Sequence, residues 1–319
     1  MEEVIRPKIS IVIPLYNEAE VFDELRQRLE ELMKAFELSI EVVMVDDGSS
    51  DLTAEKMRKL SMENKNFQSV FLSRNFGHQI ALTAGLRFAQ AQEAIMLMDA
   101  DLQDPPEMIH KFYEHLKQGN DVVYAVRSSR QSTFLMKIAY SLFYRAMKRF
   151  SYINIPLDSG DFAMISRRVA DHINAMPEES RFIRGMRSWV GFRQIGISHD
   201  REERKSGNSK YSLKNLISLA LNGLFNFSKY PIRFTVMLGL VALSSSLAYF
   251  LITLFRKFVI GDVPSGFTAL LFTIILFGGL QLIAIGIIGE YVLRIFFQVK
   301  NRPLYIVKER IKNGETTIE

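Results

Sequence analysis

The chain has 319 residues, of which 48% are hydrophobic, and its net charge is +5. It contains no cysteine, which excludes disulfides and thiolate metal sites and fits a reducing compartment. The basic balance suits nucleotide phosphates, lipid phosphates or an anionic membrane surface, and without a nucleic-acid-binding motif we expect no nucleic-acid partner. The N-terminus lacks the pattern of a signal peptide.

Five short apolar runs predict buried β-strands, because they are rich in β-branched residues and end in polar residues. Helical patterns separate them, which is typical of a parallel sheet covered on both faces. The polar strand ends should converge on one edge of the sheet, where open α/β folds bind ligands. We predict an α/β domain over residues 1–229 with a mostly parallel sheet. The predicted strands are residues 8–14, 41–45, 67–72, 94–98 and 121–126.

Two carboxylates follow the fourth predicted strand directly. Asp99 and Asp101 are two residues apart, and on an extended backbone such residues point to the same side. Hard oxygen ligands on one side suit Mg²⁺ or Mn²⁺, which usually bind substrate phosphates as well. The alternative for such a pair alone is two solvated turn residues. Pro105 and Pro106 then predict the start of a helix.

The loop after the first predicted strand lacks the glycine-rich fingerprint of dinucleotide-binding folds. It carries Pro14, Tyr16 and Glu18 instead. A nucleotide bound there must therefore be held by side chains and a metal rather than mainly by a glycine-rich turn.

Two long apolar runs, residues 232–255 and 267–288, predict transmembrane helices at about 232–256 and 267–291, within a membrane unit at 230–293. Each run exceeds the roughly 20 residues that span a bilayer. Basic residues precede and follow the pair, while only Arg256 and Lys257 lie in the connection.

By the positive-inside rule, the large domain and a C-terminal tail at 294–319 face the cytoplasm. Residues 130–150 and 212–229 predict amphipathic helices at the membrane surface. For 130–150, packing on the domain core is an equal alternative.

Six motifs and the two apolar runs together resemble glycosyltransferase family 2, and within it the polyprenyl-phosphate glycosyltransferases. Bacterial bactoprenol glucosyltransferases are the nearer type, and dolichyl-phosphate mannose synthase is a relative. The resemblance covers nearly the whole chain. Residues 184–189 lack the glutamine and the Arg-Trp adjacency of the processive synthases, so one sugar per cycle is expected. The motifs are residues 14–18, 46–51, 74–79, 99–106, 159–162 and 184–192.

The resemblance implies a Rossmann-like GT-A fold and one inverting sugar transfer from a nucleotide sugar to a polyprenyl phosphate. It favours UDP-glucose as donor and undecaprenyl phosphate as acceptor, at the cytoplasmic face of a bacterial inner membrane, for cell-envelope glycan modification. Relatives form tetramers. Other sugars (N-acetylglucosamine, galactose, aminoarabinose or mannose), another lipid acceptor such as diacylglycerol, or a non-catalytic membrane scaffold remain alternatives.

The resemblance also implies roles for single residues. Asp46 or Asp47 would bind the base, with Pro14 and Tyr16 lining its pocket and Glu18 nearby; plain loop packing is the alternative for Tyr16. Asp99 would meet the nucleotide or the metal, Asp101 is the better metal ligand, and Gln103 can add an oxygen.

Asp161 stands at the position of the family's proposed base, so we predict Asp161 and Asp101 as the catalytic residues. A phosphate monoester is mostly ionised at pH 7, so Asp161 could instead orient the sugar or an arginine. His78 is expected to pack or hydrogen-bond within its loop rather than to bind metal.

An anionic acceptor that approaches an anionic donor needs cations between them. For each candidate the alternative is a solvated surface charge. The first choices for holding phosphates are Arg127, Arg204 and Lys210, followed by Arg130, Arg187, Arg201 and Lys205.

Overall fold

The computed structural model describes residues 6–127, 159–199, 230–261 and 266–318. These residues belong to two compact units, one with all the strands and one with two long apolar helices. The predicted surface helices at 130–150 and 212–229 lie outside the described residues. The predicted phosphate-binding residues outside them are Arg130, Arg201, Arg204, Lys205 and Lys210.

A nine-stranded sheet forms the centre of the first unit, in the order β7-β5-β6-β4-β1-β2-β3-β8-β9. All five sequence-predicted strands are confirmed, as β1 to β5. The strands are β1 Ile9–Leu15, β2 Ile40–Asp46, β3 Phe67–Leu72, β4 Ala94–Leu97, β5 Val122–Arg127, β6 Ser159–Ser166, β7 Gln194–His199, β8 Val307–Lys312 and β9 Glu315–Thr317.

Helices cover both faces of this sheet, because successive side chains of a strand point to opposite faces. In β1, Ile11 and Ile13 lie in one core with α1, α2 and α4, whereas Val12 lies in the other with α3, α5 and α6. The Pro-Pro pair opens a short 3₁₀ turn, Pro106–Met108, directly before α4. The helices are α1 Phe22–Ala35, α2 Thr53–Glu63, α3 His78–Phe88, α4 Ile109–Lys117, α5 Arg167–Ala175 and α6 Ile183–Trp189.

The sheet is mixed rather than mostly parallel. Strands β4, β1, β2 and β3 are parallel neighbours, and β5 is parallel to β7. Strand β6 runs antiparallel to β4 and β5, and β8 runs antiparallel to β3 and β9. The apolar pattern of a strand carries no information about its direction, so the sequence could not supply this feature.

The C-terminal residues predicted as a tail form a hairpin in the sheet instead. Strand β8 pairs with the outer edge of β3, and its Ile311 is fully buried. The Arg58 Nε–H donates to Glu309 at 2.9 Å, and the Arg310 Nε–H donates to Gln68 at 2.8 Å. Strand β8 has apolar side chains only at Val307 and Ile311, so alternation was too weak to predict it.

The described part of the second unit contains α7 Tyr230–Phe255, a π-helical turn at Arg256–Ile260, and α8 Phe267–Lys300. Two segments, Pro231–Val259 and Phe272–Lys300, are long and apolar enough to cross a membrane. They are candidate membrane spans. Helix α8 continues past the predicted end at 291.

Candidate active site

Hydrogen bonds from backbone N–H groups to side-chain hydroxyls tie the loops after β1 and β2 together at one edge of the sheet. The Asn17 N–H donates to Ser49 Oγ at 3.0 Å, and the Glu18 N–H donates to Thr53 Oγ1 at 2.9 Å. Tyr16 is exposed beside this junction, whereas Pro14 is buried within β1. The predicted base-pocket residues therefore lie on a constrained loop, with Pro14 beneath it.

Asp46 and Asp47 are buried at the end of β2, and their carboxylates accept backbone hydrogen bonds. Asp47 accepts the N–H groups of Phe76 and Gly77 at 2.7 and 2.9 Å, and Asp46 accepts the Ser49 N–H at 3.2 Å. Burial raises the pKa of both carboxyl groups above the usual value. Asp47 thus joins the 74–78 loop to the loops after β1 and β2.

Gly48 allows these loops to approach closely. Its φ is +73°, and a Cβ atom there would lie 2.6 Å from the Arg74 carbonyl carbon and 2.7 Å from the Asn75 nitrogen. Both contacts are with backbone, so a Gly48→Ala variant must displace the 74–78 loop. We expect it to lose about 2–4 kcal/mol of stability, combining left-handed strain with the clash. Thermal unfolding measures this loss.

Gly119 provides the matched control for this substitution. Its φ is +88°, but a Cβ atom there would have no neighbour within 4 Å. Gly119→Ala should therefore lose only about 1–2 kcal/mol, from left-handed strain alone. Equal losses in the two variants would contradict the importance of the close approach at Gly48.

The predicted metal ligands lie on a turn rather than on an extended strand end. Strand β4 ends at Leu97, and Leu102 adopts a left-handed φ of 57°. Asp99, Asp101 and Gln103 are all half-buried. The residues that alternate with them, Ala100, Leu102 and Asp104, are buried. The Gln103 N–H donates to the Asp101 carboxylate at 3.2 Å. In this turn the side chains of Asp99, Asp101 and Gln103 are more exposed than those of the residues between them. That they bind one metal ion stays a prediction.

This donor set fits a hard divalent cation that is shared with a substrate. Within the described ranges, no group of three His, Cys, Asp or Glu side chains is placed to hold a metal by itself. Mg²⁺ commonly uses one or two carboxylates and takes its other ligands from phosphates and water. Asp99 and Asp101, with the Gln103 amide, match that composition.

His78 contacts the acidic turn rather than only its own loop. Its Nε2 lies 2.9 Å from Asp99 Oδ1. Burial lowers the pKa of His78, but the Asp99 carboxylate more than offsets this effect and raises the pKa to about 9. The imidazole is therefore protonated at neutral pH and donates to Asp99.

Asp161 is a buried residue of β6, and its carboxylate is held by three donors. Arg184 donates from Nε at 2.9 Å and from Nη2 at 3.1 Å, and Gln79 donates from Nε2 at 3.0 Å. Burial alone would raise the pKa of Asp161, but Arg184 holds it well below the usual value. The side-chain Oε1 of Gln79 accepts the Ile183 N–H at 2.9 Å, which fixes the start of α6.

Sequence reasoning assigned no role to Gln79 or Arg184, although both lie in the quoted motifs. It also missed His199, at the end of β7, whose Nε2 lies 3.1 Å from Asp104 in the acidic turn. Arg127 is the last residue of β5 and is opposite His199 in the strand register. Arg187 is fully buried and is therefore not the solvated surface charge considered as its alternative.

The mixed sheet with helices on both faces and acidic loops at one edge agrees with the GT-A fold that the resemblance implies. The model of the family described as "Glycosyl transferase family 2" matches residues 10–173, and the chain belongs to that family. It is an enzyme of the glycosyltransferase class.

Two curated relatives match almost the whole chain. An uncharacterized glycosyltransferase, YkcC, from Bacillus subtilis is 41% identical over 301 residues, covering 94% of this chain and 93% of the relative. The SfII prophage-derived bactoprenol glucosyl transferase of Shigella flexneri is 36% identical over 303 residues, covering 95% and 98%.

Solved structures match more distantly. The mannosyltransferase PcManGT from Pyrobaculum calidifontis, solved with GDP-Man and Mn²⁺, has a TM-score of 0.42 and 18% identity. The match covers 63% of this chain and 59% of that one.

Proposed function

We propose that this enzyme transfers one sugar with inversion from a nucleotide sugar, with UDP-glucose as the first candidate, to a polyprenyl phosphate such as undecaprenyl phosphate. The observation that carries the proposal is the match to the Shigella bactoprenol glucosyl transferase over 95% of this chain and 98% of that one. A match of that extent includes both apolar helices as well as the catalytic unit. The product would be a polyprenyl-phosphate sugar for modifying cell-envelope glycans.

We place the enzyme in the bacterial inner membrane as a multi-pass protein with its catalytic unit in the cytoplasm. The chain enters α7 from the catalytic unit and returns to that unit after α8, through the hairpin of β8 and β9. Two spans keep both ends on one side of a bilayer. The basic residues outside the pair favour the cytoplasmic side.

The acceptor chemistry assigns Asp161 an orienting role. A phosphate monoester is mostly ionised at pH 7 and can attack the anomeric carbon without first losing a proton to a base. The Asp161 carboxylate already accepts hydrogen bonds from Arg184 and Gln79. Its low pKa makes it a weak base, so its contribution is to hold the Arg184 guanidinium in place.

The loops after β1 and β2 would hold the nucleoside, with Asp46 or Asp47 accepting from the base and Tyr16 and Glu18 at its edge. Asp99, Asp101 and Gln103 would hold Mg²⁺ or Mn²⁺. The ion, when bound, neutralises the diphosphate leaving group. The phosphate-binding cations in this proposal are Arg127, Arg204 and Lys210.

We also propose that the enzyme forms a homo-oligomer, a tetramer like those of the relatives in the family that it resembles. Glycines of α7 and α8, such as Gly239 and Gly286, have no atom of the described chain within 4 Å of a Cβ placed on them. Small residues of this kind permit close helix contacts between copies in a membrane. Light scattering of the detergent-solubilised protein, corrected for detergent, measures the number of copies.

The function is tested by incubating purified full-length protein with undecaprenyl phosphate, Mg²⁺ or Mn²⁺, and radiolabelled UDP- and GDP-sugars. We expect a lipid-soluble product from one donor, with UDP-glucose tested first. Chelation with EDTA should stop product formation, and an excess of Mg²⁺ or Mn²⁺ should restore it. The Asp101→Ala variant is the matched inactive control.

The panel also separates the alternatives. Product with diacylglycerol but not with undecaprenyl phosphate would change the acceptor and keep the enzyme class. A folded wild-type protein that yields no product from any donor, with either metal and either lipid, would overturn the proposal.

A further inference from the structure

Arg187, on α6, is a fully buried arginine with too few hydrogen-bond partners. Its Nη2 donates to the Gly160 carbonyl at a long 3.4 Å, and its guanidinium lies 5.3 Å from the Tyr124 ring centroid. The Nε and Nη1 atoms are buried without a partner in the part of the chain that the structure describes. Burying donors in this way costs free energy, so Arg187 is poorly suited to a purely structural role.

Arg181, six residues earlier, shows that the same segment can satisfy a buried arginine. Its Nε donates to Thr83 Oγ1 at 3.2 Å, and its Nη1 and Nη2 donate to the carbonyls of Met176 and Ile173, both at 2.9 Å. Arg181 therefore ties α3 to the loop before α6. Arg187 makes no comparable set of bonds to the described residues.

Among the described residues, Arg187 belongs to a group of three charged side chains, with Asp161 and Arg184. Arg184 and Arg187 carry two positive charges, and the Asp161 carboxylate that they share carries one negative charge. Burial is the main effect that lowers the pKa of Arg187, to about 10, so it remains protonated at neutral pH. This group of three therefore has a net positive charge beneath the sheet edge.

Of these three side chains, Arg184 is the most exposed to solvent. Its side chain is 22% exposed, whereas that of Asp161 is 6% exposed and Arg187 is fully buried. An anion that approaches this group can touch Arg184 but not Arg187. Charge interactions are stronger inside a protein than in water, so a buried charge acts across several ångströms.

We propose that Arg187 gives the Asp161–Arg184 pair a net positive charge and so makes Arg184 the contact for a phosphate group of a substrate. This inference rests on the proposed function and adds a subsite to it. Arg187 is a positioning residue, because it acts through Arg184 and does not touch the phosphate. The phosphate could belong to the lipid acceptor or to the donor diphosphate.

The test compares Arg187→Met with wild type in the full-length protein in detergent. Methionine keeps much of the volume and removes the charge. We expect the KM for undecaprenyl phosphate, or the Kd for UDP, to rise roughly tenfold or more, with a smaller change in kcat. Which constant rises identifies the source of the phosphate.

Stability provides the second readout. Trp189 is the only tryptophan of the chain and lies on α6, so its fluorescence reports unfolding of this region. Arg187→Met should leave the melting temperature unchanged or raise it, because it removes an unsatisfied buried charge. Arg181→Met should lower the melting temperature and leave both binding constants unchanged.

Arg187→Lys serves as the charge-conserving control. Lysine also carries a positive charge on a side chain of similar length, so this variant should recover most of the lost affinity. Affinity as weak as that of Arg187→Met would overturn the charge-based role.

Each remaining outcome decides between a functional and a structural role. Unchanged constants in an active Arg187→Met, or a melting temperature that falls as in Arg181→Met, would overturn the role of Arg187 and leave the proposed function standing. A wild-type protein that transfers no sugar would overturn the proposed function itself.

Discussion

Replacing Asp161 with asparagine should both destabilise the catalytic unit and stop sugar transfer. The substitution removes the charge of a buried carboxylate that is ion-paired with Arg184 and also lowers the energy of the Arg187 charge. Breaking a buried ion pair by removing one partner typically costs about 3–5 kcal/mol. Activity should fall by at least roughly a hundredfold, because Arg184 is no longer held in position.

Thermal unfolding followed by Trp189 fluorescence measures the first effect, and the transfer assay measures the second. A loss of 3–5 kcal/mol in a unit of this size corresponds to a fall of roughly 6–20 °C in melting temperature. A variant that stays as stable and as active as wild type would show that the contact between Asp161 and Arg184 matters for neither property.

The double variant Asp161→Asn, Arg187→Met separates the two effects. Removing the second arginine relieves the charge repulsion, so part of the lost stability should return. Activity should not return, because Arg184 still lacks the carboxylate that orients it. If the double variant is as unstable as the sum of the single changes, the three side chains are not coupled.

Much of the catalytic fold could be predicted from local sequence patterns. Strands β1 to β5 are apolar runs next to polar turns, and the acidic turn is recognisable because its carboxylates follow β4 directly. Asp99 and Asp101 were assigned to the same side on the assumption of an extended backbone. The structure forms a turn there instead, with a left-handed residue, Leu102, which no periodicity reveals.

The different environments of three arginines show which features of the site the sequence alone does not predict. Arg181, Arg184 and Arg187 recur every third residue and look equivalent in the sequence. Arg181 donates three hydrogen bonds, Arg184 is ion-paired, and Arg187 is buried with two nitrogen atoms that lack a partner among the described residues. These differences arise from partners on α3, α5 and β6, which only the tertiary structure brings together.

Contacts between residues far apart in sequence explain why the C-terminal hairpin was predicted as a tail. Glu309 contacts Arg58, which is 251 residues away in sequence, and nothing near residue 309 encodes that partner. The apolar side chains of β8 are too few to mark a strand. Its stability comes from the edge of β3, to which it adds a strand.

Truncating the chain after Arg302 should therefore unfold the catalytic unit while leaving both apolar helices intact. The deletion removes the buried side chains of Val307 and Ile311, each worth about 1.5–3 kcal/mol. It also removes the partners of Arg58 and Gln68 and exposes the edge of β3. The combined loss approaches the whole stability of a typical domain, roughly 5–15 kcal/mol.

Truncation after Gly314 is the matched control, because it removes only the exposed β9 and the residues beyond it. This shorter deletion should lower the stability by less than roughly 1 kcal/mol, as expected for surface changes. Limited proteolysis and Trp189 fluorescence, both in detergent, compare the two variants. If only the variant truncated after Arg302 is cleaved rapidly, the stability of the catalytic unit depends on β8. The segment after the apolar helices then completes the enzyme. Equal resistance in both variants would mean that β8 is a dispensable addition and that the sheet is stable with β3 at its edge.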